Sequence, residues 1–465
     1  MGDDIVLNDQ QQKALDLVAN GKNVFITGSA GTGKSLIISK LREWAADNEK
    51  EMWVTALTGV AAANVGGATL HSWGGIGLGK SEPRKHAYYV RKKEKTLSKY
   101  IGTDILVIDE VSMSDYNYIN TLDSVAKIVR NNLAQPFGGI QIVMCGDFYQ
   151  LGPVQKKDQV KFLFEDFSWN RIIDVSVHLT KVYRQTQSDF IDILHKIRVG
   201  DVDDNVVKAI NDTKTHKLKN DLGILPTILY CRNKDVDIIN KTNIDSLEGE
   251  VVKFKHYDYF ENDDAKQLFE KSFTLPVDLE LKPGAQVMLL VNLDIFNGLV
   301  NGSRGVVQEI LPKGHEECVT GGVKVLFLNG RTEIIKPYRQ AFKYDNDKMD
   351  DPDRAYRVQT PLKLAYALTI HKSQGMSIDY LEIDLYGCFA HGQAYVALSR
   401  ARTYENLRVF NFSKKNVITS DKVKDFYKNL ESGKRKIAGP LAAMFDKKKV
   451  KQEIKVEIKK ENSFI

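Results

Sequence analysis

An α/β fold is predicted for this chain: two tandem domains, each on a mainly parallel sheet, with a small basic insert in the first and a small β-barrel inserted in the second. Short apolar runs alternate with helical or loop segments in the first third of the chain, and the same alternation returns late. Between them lies a stretch rich in Gly, Val and Asn-Gly turns. At 465 residues the chain exceeds what one ordinary core holds.

In the first domain, taken as residues 1–175, strand-like runs occur at Asn23 to Thr27, Met52 to Leu57, Asp104 to Ile108 and Ile140 to Cys145. Continuous rather than alternating apolar character marks strands buried on both faces, as in a parallel sheet covered by helices. The insert, about 74–100, carries Arg84, Lys85, Arg91, Lys92, Lys93 and Lys95 among its tyrosines. The second domain, 176–265 and 366–430, has its apolar runs at Thr227 to Tyr230, Leu381 to Leu385 and Leu407 to Phe412. Residues 266–365 hold Val287 to Val291 and the turns Asn301-Gly302 and Asn329-Gly330, the pattern of short twisted strands in a barrel. The basic tail, 431–465, repeats Lys and Glu four residues apart; like charges at that spacing oppose an isolated helix, so disorder is expected.

Net charge is only +6, so a surface for nucleic acid has to be local. Cys145, Cys231, Cys318 and Cys388 form no close pair in sequence, which predicts neither a structural metal nor a disulfide framework and favours a reducing, intracellular setting. No run approaches the roughly 20 apolar residues that span a bilayer, so no membrane partner is expected.

The strand ending at Thr27 is followed by Gly28, Ser29, Ala30, Gly31, Thr32, Gly33, Lys34 and Ser35, then by a helical run through Trp44. Glycines there let backbone N–H groups approach phosphates, and the helix N-terminus adds its dipole. Lys34 is placed to reach the β- and γ-phosphates of ATP and Ser35 to ligate Mg²⁺. The apolar run Leu106 to Ile108 ends in Asp109 and Glu110, a second Mg²⁺ ligand and a group to polarise the attacking water. Gln150 follows the next run, where its amide can bond both a γ-phosphate and water. Arg184 and Arg400 are candidates to stabilise charge on the transferring phosphoryl group.

Together these motifs resemble superfamily 1 helicases and, within them, the petite-integration-frequency family of subgroup B, related to RecD. Leu7 to Gln11 resembles the adenine-reading motif, with Gln11 at the glutamine position. Segments Ala56 to Ala63 and Ala68 to Trp73 resemble the strand-gripping motif, and Asp189 to Gly200 a segment peculiar to the family. Leu281 to Val307 resembles its inserted barrel, and Leu368 to Gly375 and Ala394 to Arg402 the last two helicase motifs. Gly152 departs from the pattern, which more often has proline there.

The resemblance implies RecA-like domains, an SH3-like insert, and a monomeric, ATP- and Mg²⁺-dependent 5′-to-3′ motor on single-stranded and forked DNA. It also implies that Gln11 and Gly375 contact nucleotide, that Gln150 senses the γ-phosphate, and that Arg184 and Arg400 are the γ-phosphate arginines. Thr58, His71, Thr369, His371 and Ser373 are the candidate phosphate contacts to the strand. Trp73, Phe148 and Tyr149 are candidate stacking faces for bases, with burial in the core as the competing reading for Trp73 and Phe148. A single-strand translocase and a nucleotide-switched DNA-binding protein remain as alternatives.

Overall fold

The structure, a computed structural model, describes residues 6–432 except 154–160, 219, 221, 271–272, 295–296, 298 and 344–352. Nearly all of the predicted tail lies outside the described residues.

Six strands form the first sheet: β1 (Val24–Gly28), β2 (Met52–Ala56), β3 (Ala68–Thr69), β4 (Ile105–Asp109), β5 (Gln141–Gly146) and β6 (Val175–Leu179). Their order is β3-β2-β4-β5-β1-β6, and every neighbouring pair is parallel. β1 and β4 are buried at all five positions. Alternate residues serve opposite cores: Phe25, Leu106 and Ile108 pack with Trp53, Trp73 and Phe148, whereas Val24, Ile26 and Val107 pack with Ile37 and Leu41. The loops after β1, β4 and β5 all leave the carboxyl edge of adjacent strands, where ligands bind in open parallel sheets. The basic insert forms two helices, Pro83–Lys92 and Glu94–Gly102.

The second sheet begins at β7 (Thr227–Tyr230). After the helix Asn233–Asp245 the chain departs through β8 (Val252–Lys255), β9 (Tyr257–Phe260), β10 (Asp278–Leu281), β11 (Gln286–Leu289), β12 (Arg304–Leu311), β13 (Gly322–Phe327), β14 (Thr332–Ile335), β15 (Tyr338–Lys343), β16 (Asp353–Gln359) and β17 (Leu362–Leu364). It returns as β18 (Ala367–Thr369), β19 (Leu381–Asp384) and β20 (Leu407–Phe410), giving a parallel sheet ordered β18-β7-β19-β20. The insert is antiparallel throughout, in sheets β14-β13-β12-β11-β17, β15-β16-β9 and β10-β8.

Two assignments shift. Strands β8 and β9 fall within 176–265 yet pair with β10 and β16 of the insert. Their mix of exposed and half-buried positions suits half-covered antiparallel strands and not a doubly covered parallel sheet. The helix Asp421–Glu431, placed in the second domain by position, packs on the first: Phe426 lies 4.3 Å from Phe164 and 6.2 Å from Phe25, ring centre to ring centre. Among the described residues no helix is long and apolar enough to cross a membrane.

Candidate nucleotide-hydrolysis site

The loop after β1 turns through Gly31 and Gly33, both in the left-handed region (φ 81° and 86°). A β-carbon at Gly31 would stand 2.5 Å from Arg184 Cβ, and one at Gly33 would stand 2.5 Å from the Gln11 amide nitrogen. Glycine is thus needed at both positions for conformation and for close approach. Thr32 Oγ1 donates to the Ser29 carbonyl at 2.9 Å, bracing the loop. Lys34 Nζ donates to the carbonyls of Gly28 (2.7 Å) and Ser29 (3.0 Å). Burial lowers the pKa of this ammonium, while the carboxylates of Asp147, Glu110 and Asp109 oppose the shift. Ser35 is exposed in the first turn of the helix Lys34–Asp47.

Gln11 lies against the loop. It forms a capping box with Asn8, its N–H donating to Asn8 Oδ1 (2.9 Å) and its own Oε1 accepting from the Asn8 N–H (3.0 Å). Its Nε2 donates to the Thr32 carbonyl at 3.2 Å.

Asp109 closes β4 and is buried; burial, then the neighbouring Glu110, pushes its carboxyl up to about 7. Glu110 sits in the left-handed region (φ 53°), a backbone strain of about 1–3 kcal/mol of the kind concentrated at functional sites. The donor set fits Mg²⁺, which takes one or two protein oxygens and completes its octahedron with phosphates and waters: a buried carboxyl short of cationic partners and the Ser35 hydroxyl.

Glu110 Oε2 accepts from Gln374 Nε2 at 2.8 Å, a contact from the second domain that was not foreseen, although Gln374 stands inside the quoted Leu368 to Gly375 segment. Arg184 reaches the same seam, donating to the carbonyls of Ser399 (3.1 Å) and Gly375 (3.4 Å). Arg400 is buried and donates to the Val396 carbonyl (2.8 Å), the Met376 carbonyl (3.1 Å) and Ser399 Oγ (2.8 Å). Burial and the nearby Arg184 lower its pKa to about 9, with Glu110 opposing. Two guanidinium groups sharing one carboxylate make a seam short of negative charge, which suits a polyphosphate.

Four further groups escaped the sequence. Asp147 is fully buried and takes a bidentate pair from Arg198, Nε to Oδ2 at 2.9 Å and Nη2 to Oδ1 at 2.8 Å. Tyr427 donates to Asp147 Oδ1 at 3.2 Å and accepts from the Phe148 N–H at 3.1 Å. Tyr395 Oη accepts the Ala30 N–H of the phosphate loop at 2.9 Å. A charge on an otherwise apolar helix stripe was the available signal for Arg198; nothing local pointed to Tyr395 or Tyr427. Gln150 is buried beside this group, its Nε2 a weak 3.5 Å from Asp147 Oδ2.

The strand candidates divide. Thr58 is exposed and accepts the Ala61 N–H (3.1 Å); His71 is half-buried against Tyr118, ring centres 4.3 Å apart. His371 is half-buried, and burial lowers both histidines' pKa. Thr369 is buried, its Oγ1 accepting the Lys372 N–H at 3.4 Å. Ser373 is fully buried and donates to the Ile370 carbonyl (2.8 Å), so it braces the turn instead of meeting a strand. Trp73, Phe148 and Tyr149 are core residues, not open stacking faces. Trp73 packs on Tyr100 with its ring 4.9 Å away, Phe148 lies among Phe25, Phe164 and Phe426, and Tyr149 stacks on Tyr427 at 4.8 Å.

Comparison with known proteins places this geometry. A family model described as PIF1-like helicase matches residues 6–208, and one described as DNA helicase Pif1, 2B domain, matches 271–310. The ATP-dependent DNA helicase PIF1 of Xenopus laevis is 42% identical over 430 residues, covering 92% of this chain; the chain spans 65% of that relative's length. Among solved structures, Pif1 helicase from Candida albicans is 37% identical with a TM-score of 0.77, over 92% of this chain and 100% of that one. A Bacteroides Pif1 in complex with ADP-AlF4 is 31% identical with a TM-score of 0.78, over 92% and 98%.

Proposed function

The chain belongs to the PIF1-like helicase family, and from that premise we propose that it is an ATP-dependent DNA helicase that moves 5′-to-3′ on single-stranded DNA and unwinds duplex or structured DNA. It acts as a monomeric, intracellular motor in replication, repair, recombination or telomere maintenance. One contact carries the reading: Glu110, positioned to polarise the attacking water, takes its hydrogen bond from Gln374, in the same turn as the candidate strand contacts Thr369 and His371. Hydrolysis chemistry and strand grip thereby share one short segment.

The loop Gly28 to Ser35 and Lys34 bind the phosphates, Gln11 and Gly375 border the nucleotide, and Arg184 and Arg400 close on the γ-phosphate from the facing domain. Asp109 and Ser35 would hold Mg²⁺, which neutralises charge on the β- and γ-oxygens when bound. Melting costs about 1.4 kcal/mol per stacked step, so repeated unwinding needs nucleotide turnover to reset the grip.

Strand displacement and ATP hydrolysis measured with 5′-tailed, 3′-tailed and blunt duplexes test the proposal. Displacement of the 5′-tailed substrate alone is expected. Displacement only from 3′ tails overturns the polarity, DNA-stimulated hydrolysis without displacement points to a translocase, and DNA binding without turnover points to a nucleotide switch.

A further inference from the structure

Tyr395 belongs to the second domain, yet its hydroxyl lies on the phosphate loop, where its oxygen accepts the Ala30 N–H at 2.9 Å. Just before the short helix that carries it, Gln393–Leu398, His391 Nε2 lies 2.7 Å from the Phe148 carbonyl. A β-carbon at Gly392 would meet the Tyr149 and Gln150 carbonyls at 2.4 and 2.5 Å. Just after the helix, the Ser399 carbonyl accepts from Arg184, and Arg400 folds back so that its Nε donates to the carbonyl of Val396, the residue next to Tyr395. The segment from His391 to Arg400 thus meets the phosphate loop, the Gln150 segment and both candidate γ-phosphate arginines. From this convergence we propose that the Tyr395 hydroxyl is a ligand of the terminal phosphate of ATP, donating a hydrogen bond to it while accepting one from Ala30, and that it sets a preference for triphosphate over diphosphate. The inference deepens the reading of this site as one for ATP hydrolysis, and rests on it.

A tyrosine hydroxyl carries one donor and two acceptor positions. At Tyr395 one acceptor position is filled by Ala30, and among the described residues no acceptor takes the hydroxyl proton. The residue is 4% exposed, so the donor is nearly closed to bulk water, and a buried donor without a partner is costly. The two arginines that reach the same seam can only donate. Its carboxylates are already engaged: Asp147 receives Arg198 and Tyr427, and Glu110 receives Gln374. What the hydroxyl lacks is an anionic acceptor, and a phosphate oxygen is one. Burial, with the charge of Asp147 acting in the same direction, pushes the Tyr395 pKa up to about 12, so the hydroxyl keeps its proton throughout the neutral range.

The point of contact favours the terminal phosphate over the inner ones. Ala30 precedes Gly31, and a β-carbon at Gly31 would stand 2.5 Å from Arg184 Cβ, so Tyr395 and Arg184 meet adjacent residues of the loop. The N–H groups that serve the inner phosphates lie further on, where the loop opens into the helix Lys34–Asp47. ADP lacks the phosphate that the two arginines and Tyr395 would share. The hydroxyl therefore contributes to triphosphate binding alone, through a bond to a charged acceptor, which is about twice as strong as a neutral one.

Tyr395→Phe removes the oxygen and keeps the buried ring. Binding of adenylyl imidodiphosphate, a triphosphate analogue that resists hydrolysis, and of ADP, each with Mg²⁺, is measured on the full chain by isothermal titration calorimetry. In the variant the affinity for the analogue relative to that for ADP should fall about tenfold or more, the weight of one hydrogen bond to a charged group. The ratio is the readout because loss of the Ala30 bond by itself weakens both nucleotides alike, and retained ADP binding shows that the site is folded. A ratio equal to the wild type's overturns the inference, whether both affinities fall together or neither does, and leaves the hydroxyl a brace of the loop. A wild type that binds neither nucleotide refutes the ATP reading itself, whereas a wild type that binds both beside a variant of equal ratio refutes only the role of Tyr395.

Discussion

Replacing Arg198 with Met removes the guanidinium and keeps most of its stem, which isolates what the Asp147 pair does. Both side chains are nearly inaccessible, at 4% and 0%, and the two bonds are 2.9 and 2.8 Å long. After the substitution Asp147 keeps the Tyr427 hydroxyl, the Tyr149 N–H and, at a weak 3.5 Å, the Gln150 amide as near donors, with Lys34 as the remaining nearby cation. A buried carboxylate stripped of its bidentate partner costs about 3–5 kcal/mol, a factor of about 10² to 5 × 10³ in the folding equilibrium. Arg198 also lies over the rings of Tyr149 and Tyr427, at 4.5 and 5.1 Å, so part of the loss is cation–π attraction. Asp147→Asn removes the partner charge, and the double variant, with neither charge, should recover about 2–3 kcal/mol relative to the sum of the single losses. Urea unfolding followed by tryptophan fluorescence is the assay, because Trp169 packs edge-on against Phe148, 5.8 Å away, in the same cluster. Burial raises the pKa of Asp147, but Arg198 overcomes it and the net shift is downward. The pair's contribution is therefore complete above about pH 4 and is lost as pH falls through the depressed folded value. Additive single variants, or a loss under about 1 kcal/mol for Arg198→Met, would refute the argument.

Gln374→Leu should leave DNA-free hydrolysis nearly intact and lower the DNA-stimulated rate about tenfold or more, the weight of one hydrogen bond to a charged group; equal loss in both would make Gln374 merely structural. Lys34→Ala should abolish hydrolysis while single-strand binding by fluorescence anisotropy stays near wild type, and wild-type turnover would remove the phosphate-loop assignment. Arg184→Ala should keep nucleotide binding and lose at least about 100-fold in turnover, and normal hydrolysis with DNA present would show that it does not face the γ-phosphate. With Asp109 pushed up to about 7, the metal-free site holds a neutral carboxyl at lower pH, so Mg²⁺ affinity measured by titration should fall as pH drops below 7 and be nearly constant above it. A flat profile from pH 5 to 8 would mean that Asp109 is ionised throughout.

The local geometry of the candidate nucleotide site was legible in the sequence because its determinants are local. A left-handed turn needs glycine at Gly31 and Gly33, a helix beginning at Lys34 supplies N–H groups, and an apolar strand can carry Asp109 and Glu110 only at its end. Periodicity likewise located seven of the ten strands of the two parallel sheets to within one or two residues, β3, β6 and β18 not being among the runs it marked. It failed where local character was ambiguous. Trp73 and Phe148 have the composition of stacking residues, and only tertiary packing decided that they are core: Trp73 against Tyr100 of the helix Glu94–Gly102, Phe148 against Phe426 of the helix Asp421–Glu431.

What the sequence by itself determined, then, is which segments become strands, phosphate loop and carboxylate edge, since each follows from backbone sterics and apolar spacing within about ten residues. What only the tertiary structure decided is who faces whom: Gln374 against Glu110, Arg198 against Asp147, Tyr395 against the Ala30 amide, and β9 against β16. Those partners lie tens to hundreds of residues apart, and no local period records their meeting. It is set by how the two sheets and the insert close on one another, where burial of the joint surface outweighs the entropy of closing such long loops.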